Sequence, residues 1–152
     1  MGSTKSHQGK KKRILLIGYG SIGKRHLSVA REVGNHSYAL LRSGKGIKEG
    51  DGTPQVEEFK DIKPALDWKP THVVICTPTQ HHLDYFKEIS QTEIPVLIEK
   101  PFISEINILE EKGLYTTELE KYPGMVGYNL RFHSVFQKVK EVIEKIIAII
   151  FK

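Results

Sequence analysis

A chain of 152 residues can bury one good core, so a single domain with at most a short appendage is expected. Its composition, 39% hydrophobic and 27% charged, is that of an ordinary folded chain. The net charge of +5 is carried by Lys5, Lys10, Lys11, Lys12 and Arg13, leaving the rest of the sequence neutral, which argues against a nucleic-acid-binding surface.

Residues 1–12, made largely of Gly, Ser, Gln and Lys, read as a disordered tail. Met1-Gly2-Ser3-Thr4-Lys5-Ser6 also fits a myristoylation pattern, but that pattern is short and has meaning only in a eukaryotic host. Neither a secretory apolar region nor a run long enough to span a membrane is found, and the single Cys76 allows no internal disulfide. These features fit a reducing, cytoplasmic compartment.

The first strand is predicted at Arg13 to Ile17, running straight into Gly18-Tyr19-Gly20-Ser21-Ile22-Gly23. A helix follows from Ser21 to Val33, with Ile22, Leu27, Val29, Ala30 and Val33 as its apolar side and Gly34-Asn35 as its stop. Strand, glycine turn and helix in this order are what a dinucleotide site requires, the alternative being a glycine turn that only packs a helix against a sheet. Gly18 permits the turn, Gly20 lets backbone approach a phosphate, and Gly23 lets the helix pack on the strand. The helix start adds free N–H groups and a partial positive charge. A phosphate-binding P-loop is excluded, because Lys24 is followed by Arg25 and not by Ser or Thr.

A second strand, Ser37 to Leu41, ends in Arg42-Ser43. NAD-preferring sites commonly carry an acid near this position for the ribose 2′-hydroxyl; an Arg and a Ser suit a 2′-phosphate, which favours NADP over NAD. Gly44 to Pro54 reads as a mobile loop, and Lys60 to Asp67 as a short helix limited by Pro64. His72 to Cys76 is a buried strand closed by Thr77-Pro78, with Thr79 as the cap of a helix reaching Ser90 whose Leu83, Phe86 and Ile89 face inward. Val96-Leu97-Ile98 is another buried strand and enters Glu99-Lys100-Pro101. A helix over 104–119, a short strand at Met125 to Gly127 and a final helix carrying Val135, Phe136, Val139, Val142, Ile143, Ile146 and Ile147 complete the chain. Alternation of strands and helices predicts an α/β fold, a doubly wound, mostly parallel sheet.

In such a sheet the chemistry lies at the carboxyl ends of the strands. There Lys100 is the group suited to proton transfer, and Glu99 beside it can hold it in place. His81-His82 with Asp84 make a poor chelate, since neighbouring helical side chains diverge by about 100°, so no metal is expected.

The glycine turn with Lys24-Arg25-His26, then Thr77-Pro78-Thr79-Gln80-His81-His82, Glu99-Lys100-Pro101 and Gly127-Tyr128-Asn129-Leu130-Arg131-Phe132 occur in this order. Over about residues 13–145 the chain resembles the amino-terminal, Rossmann-type part of the Gfo/Idh/MocA oxidoreductases. The resemblance implies an NAD(P)-dependent oxidoreductase acting on a sugar, sugar derivative or polyol. It implies that Thr77, Pro78 and His82 border the nicotinamide ribose and that Glu99 belongs to the cofactor site. Lys100 would contact both cofactor and reacting oxygen, and Asn129 and Arg131 would sit at the junction with a substrate domain.

In that family a second, mainly antiparallel domain follows, and no stretch here corresponds to it. The expected division is therefore a tail over 1–12, a dinucleotide-binding domain over 13–127 and a junction over 128–152 that begins a truncated substrate domain. The apolar last helix is expected to offer a contact surface, with a homo-oligomer as one use of it. Two other classes stay open: a non-catalytic nucleotide-binding protein or subunit completed by another chain, and a methyltransferase binding S-adenosylmethionine, which the Thr-Pro and Glu-Lys-Pro strand ends disfavour.

Overall fold

The computed structural model describes residues 10–43, 56–104 and 122–150. Its elements are β1 (Arg13–Ile17), α1 (Ser21–Val33), β2 (Ser37–Leu41), β3 (Glu57–Phe59), α2 (Ile62–Asp67), β4 (His72–Ile75), α3 (His82–Ser90), β5 (Val96–Ile98), β6 (Gly124–Val126) and α4 (Ser134–Ile150). Two short 3-10 turns, Thr79–His81 and Asn129–Phe132, precede α3 and α4. The six strands form one all-parallel sheet in the order β3-β2-β1-β4-β5-β6. The strand order reverses between β1 and β4, which opens a crevice at their carboxyl ends.

Alternation of side chains sorts the strands' apolar residues onto two faces. Leu15, Ile17, Ala39, Leu41, Val73, Ile75, Val96 and Ile98 share one core with Ala65 of α2 and with Phe86 and Ile89 of α3. Leu16 and Leu40 form the other with Leu27 of α1. Right-handed crossovers account for this division: β1-α1-β2 steps toward one edge and β4-α3-β5 toward the other, so their helices cover opposite faces. Each fully buried Leu or Ile contributes about 1.5–3 kcal/mol, enough to fix the register of every strand. Tyr122 closes the β6 side, edge-on to Phe86 with centroids 5.2 Å apart and donating its hydroxyl to Ile94 O at 2.6 Å.

Several local expectations change. Of the apolar positions on α1, Leu27 is buried, but Ile22 and Val29 are half exposed and Val33 is 80% exposed. Together with Ile14, Leu16, Val74, Leu97 and Met125 the α1 side chains Val29, Ala30 and Val33 line an open apolar groove of about 710 Å³. Gly34 ends α1 in extended backbone, its N–H donating to Ala30 O at 3.3 Å. Thr79 lies in the 3-10 turn and does not cap α3, whose N-cap is His81 without a side-chain cap bond. Strand β4 stops at Ile75, and β6 begins and ends one residue before the predicted strand. Strand β3, with two acids in three residues, is unexpected; it exists because β2 offers it a parallel ladder from Ala39 to Leu41.

The loop over 44–54, the myristoylation pattern and, apart from Ser104, the helix over 104–119 lie outside the described residues. In α4 the side chains of Val135, Phe136, Val139, Val142, Ile143 and Ile147 are all exposed, an apolar stripe at helical spacing. No helix of the described residues is long and apolar enough to cross a membrane.

Candidate functional site

The ladder bonds bring five chain segments to one edge. Gly18 N–H donates to Leu41 O at 2.9 Å and Arg42 N–H to Phe59 O at 3.0 Å. Cys76 N–H donates to Ile17 O at 2.8 Å, Glu99 N–H to Ile75 O at 2.9 Å and Gly127 N–H to Ile98 O at 2.7 Å. The residues just past β1, β2, β4, β5 and β6 are thereby held in one row.

The glycine turn is packed from below. Gly18 has φ +93°, a conformation that favours glycine, and a Cβ there would meet Thr77 N at 2.9 Å and the Cys76 carbonyl at 3.0 Å. A Cβ on Gly23 would run into Gly18 O and lie 3.2 Å from Gly18 C. Above Gly20 nothing lies within 4 Å of a Cβ, leaving room for a ligand. Helix α1 starts there with no acidic residue in its first turn and no side-chain cap, so its N–H groups face outward for an anion.

A cleft of about 770 Å³ opens on this turn. Gly18, Tyr19, Gly20, Ser21, Ile22, Arg42, Ser43, Thr77 and Pro78, all singled out in the sequence, line it. Sequence reasoning missed Lys24, His81 and Tyr85 in its wall. Lys24 and His81 stand within the quoted motifs, whereas Tyr85 carries no signal beyond its place one turn into α3. Two cations flank the Tyr19 ring: Lys24 Nζ at 5.5 Å and Arg42 Cζ at 5.6 Å from its centroid. The fork of Arg42 is held by Glu58, with Nε to Oε2 at 2.8 Å and Nη2 to Oε1 at 2.9 Å. Thr77 Oγ1 is buried and has no hydrogen-bond partner among the described residues. A buried hydroxyl without a partner costs about 1–3 kcal/mol, so this atom, the open Gly20 and the bare helix start fit a polar, phosphate-bearing ligand.

The remaining candidates stand behind or beside the cleft. Gly23 is buried beneath the turn. His82, 1% exposed, has Nε2 2.7 Å from Thr77 O and Nδ1 3.0 Å from Pro101 O. The ring is held between these two carbonyl oxygens, and a ring N–H donates to the one it faces. The ring thus ties the Thr77 loop to the residue after Lys100. Glu99 accepts from His26 Nε2 at 2.6 Å and from the Lys100 amide at 3.2 Å, linking α1 to the end of β5. Lys100 itself is exposed, and Asn129 opens the 3-10 turn before α4, its N–H donating to Gly127 O at 2.9 Å. Among the described residues no three His, Cys, Asp or Glu side chains group as a metal site.

Burial, followed by the negative charge of Glu99, pushes the Cys76 thiol up to about 12 from 9.0. The thiolate is the nucleophile, so alkylation of native Cys76 at pH 8 should run about a hundredfold or more slower than in the unfolded chain. Equal rates in the presence and absence of denaturant would contradict this assignment. The sign for stability follows: the folded state keeps the proton that the unfolded thiol releases above pH 9.0, so this contribution to stability falls as pH rises from there toward about 12.

Comparison with known proteins agrees with this architecture. Residues 12–122 match the family model described as "Oxidoreductase family, NAD-binding Rossmann fold". A Bacillus subtilis protein described as the uncharacterized oxidoreductase YrbE is 26% identical over 137 residues, 85% of this chain and 39% of that protein. Among solved structures, the WlbA dehydrogenase from Bordetella pertussis, in complex with NADH and UDP-GlcNAcA, is 20% identical with a TM-score of 0.71. Scyllo-inositol dehydrogenase from Lactobacillus casei, with NAD(H) and scyllo-inositol, is 21% identical with a TM-score of 0.69. Each alignment covers 90% of this chain and 42% of the other, so the chain spans about two fifths of these relatives' length. The glycine turn, the parallel sheet and the match across residues 12–122 together make this chain a member of the Gfo/Idh/MocA oxidoreductase family, through its NAD-binding Rossmann domain.

Proposed function

We propose that this chain is the cofactor-binding part of an NAD(P)-dependent oxidoreductase that transfers hydride to or from a sugar, sugar derivative or polyol. The observation that carries the reading is the row of strand ends: the glycine turn, Thr77-Pro78 and Glu99-Lys100 share one edge of one sheet. The relatives crystallised with a nucleotide sugar and with an inositol support the substrate class. The bound nicotinamide supplies the hydride acceptor or donor. The start of α1 and the amides around Gly20 hold the pyrophosphate, and Thr77, Pro78 and Asn129 border the nicotinamide ribose and the junction. His82 fixes the Thr77 loop relative to Pro101, and Glu99 holds the Lys100 backbone in place. Lys100 contacts the reacting oxygen and moves its proton. At the adenosine end Arg42 and Ser43 support NADP over NAD.

In this reading residues 13–127 form the dinucleotide-binding unit and 128–152 lead into a substrate domain. The exposed apolar stripe of α4 supports a homo-oligomeric contact, and a single free cysteine fits a reducing, cytoplasmic setting. A second reading, a nucleotide-binding subunit completed by another chain, is favoured by the exposure of Lys100. A screen of polyols and sugars with NADP and NAD, following nicotinamide absorbance, separates the two. Reduction of cofactor by any of them supports the enzyme; binding of cofactor without turnover across the screen supports the subunit.

A further inference from the structure

We propose that Glu58 is a specificity-determining residue for the cofactor, setting how well the cleft accepts a 2′-phosphate. This rests on the dinucleotide reading of the cleft. In the parallel ladder of β2 and β3, Leu40 is in register with Glu58 and Leu41 with Phe59. Arg42, the next residue, stays anchored through its own N–H to Phe59 O. Its guanidinium therefore meets a carboxylate arriving from the neighbouring strand, not from the end of β2 where an acid in NAD sites normally stands. The contact is bidentate, at 2.8 and 2.9 Å, and uses the same planar fork that a 2′-phosphate would use. Arg42 also lies against the Tyr19 ring in the cleft wall, so its position at the adenosine end is set from two sides.

The pair discriminates between two ribose chemistries. A 2′-hydroxyl carries no charge and leaves the ion pair undisturbed. A 2′-phosphate is repelled by that carboxylate and must take Arg42 away from it. The exposures suit this exchange: the Arg42 side chain is 13% exposed and stays put, whereas that of Glu58 is 36% exposed and can turn into solvent. Glu58 thus weakens the 2′-phosphate preference that Arg42 and Ser43 alone would give.

The test is calorimetric titration of the chain and of Glu58→Gln with NADPH and with NADH. Removing the charge while keeping the shape should tighten NADPH binding about tenfold and change NADH binding less than about threefold. In an Arg42→Ala background the competition is gone and only the direct charge repulsion remains, so the same substitution should shift the NADPH-to-NADH ratio less than about threefold. Glu58→Ala, with the thermal midpoint measured alongside, guards against a local folding effect and should shift the ratio in the same direction. A ratio unaltered by both substitutions, with binding intact, overturns the role of Glu58 and leaves the dinucleotide site standing. Failure of the parent and both variants to bind either nucleotide overturns the site and Glu58's role with it.

Discussion

Gly23→Ala is expected to abolish measurable dinucleotide binding and to lower stability by about 2 kcal/mol, the cost of forcing an added methyl into closed packing. The new Cβ would strike the Gly18 carbonyl, which is backbone and cannot rotate aside. Gly18 is itself constrained: its φ of +93° favours glycine, and the side of its backbone where a Cβ would stand faces Thr77 N and the Cys76 carbonyl. The strain must therefore open the turn that presents amides to the phosphate. Gly20→Ala is the informative contrast. Its backbone is extended, at φ −75° and ψ −167°, and its Cβ meets nothing within 4 Å, so the fold should keep its thermal midpoint. The methyl would occupy the space left for the ligand, and affinity should still fall. Thermal melts and calorimetry on both variants check this; a Gly23→Ala chain that binds like the parent would show that the turn does not carry the cofactor.

Lys100→Met is expected to reduce kcat/KM by about 10²–10⁴ while changing nucleotide affinity less than about threefold. The substitution keeps length and apolar stem and removes the proton-carrying amine. The Lys100 amide, not its side chain, makes the bond to Glu99, so the strand end should stay in place. Turnover assays and titrations on the same preparations read the two effects separately. Full activity in Lys100→Met would remove the lysine from the chemistry; loss of nucleotide binding would reassign it to the cofactor pocket.

The parallel sheet was legible because its central strands are short apolar runs bounded by glycine, proline or polar residues. Nothing else explains Ile14-Leu15-Leu16-Ile17, His72-Val73-Val74-Ile75 and Val96-Leu97-Ile98 as economically. The cleft was legible for the same reason, since strand ends follow directly from strands. Strand β3 was not, because Glu57-Glu58-Phe59 has no apolar period and owes its form to a neighbour 18 residues earlier in register. The Glu58 partner of Arg42 was hidden with it, which is why the strand-end arginine read as available to a phosphate. The contact of His26 with Glu99 spans 73 residues and depends on α1 lying over the end of β5, a relation no local pattern encodes. His82 read as a cleft residue, whereas its ring is turned inward onto two carbonyls. Sequence spacing places residues on elements; it does not say which side of a loop a ring will face.

Everything proposed for this chain depends on the Gly18–Gly23 turn holding a dinucleotide. Calorimetric titration of the purified chain with NADPH and NADH tests it most directly. Saturable one-site binding is expected, lost in Gly23→Ala while the slow alkylation of Cys76 shows that the fold persists. Binding of neither nucleotide, or binding left unchanged by Gly23→Ala, would contradict it.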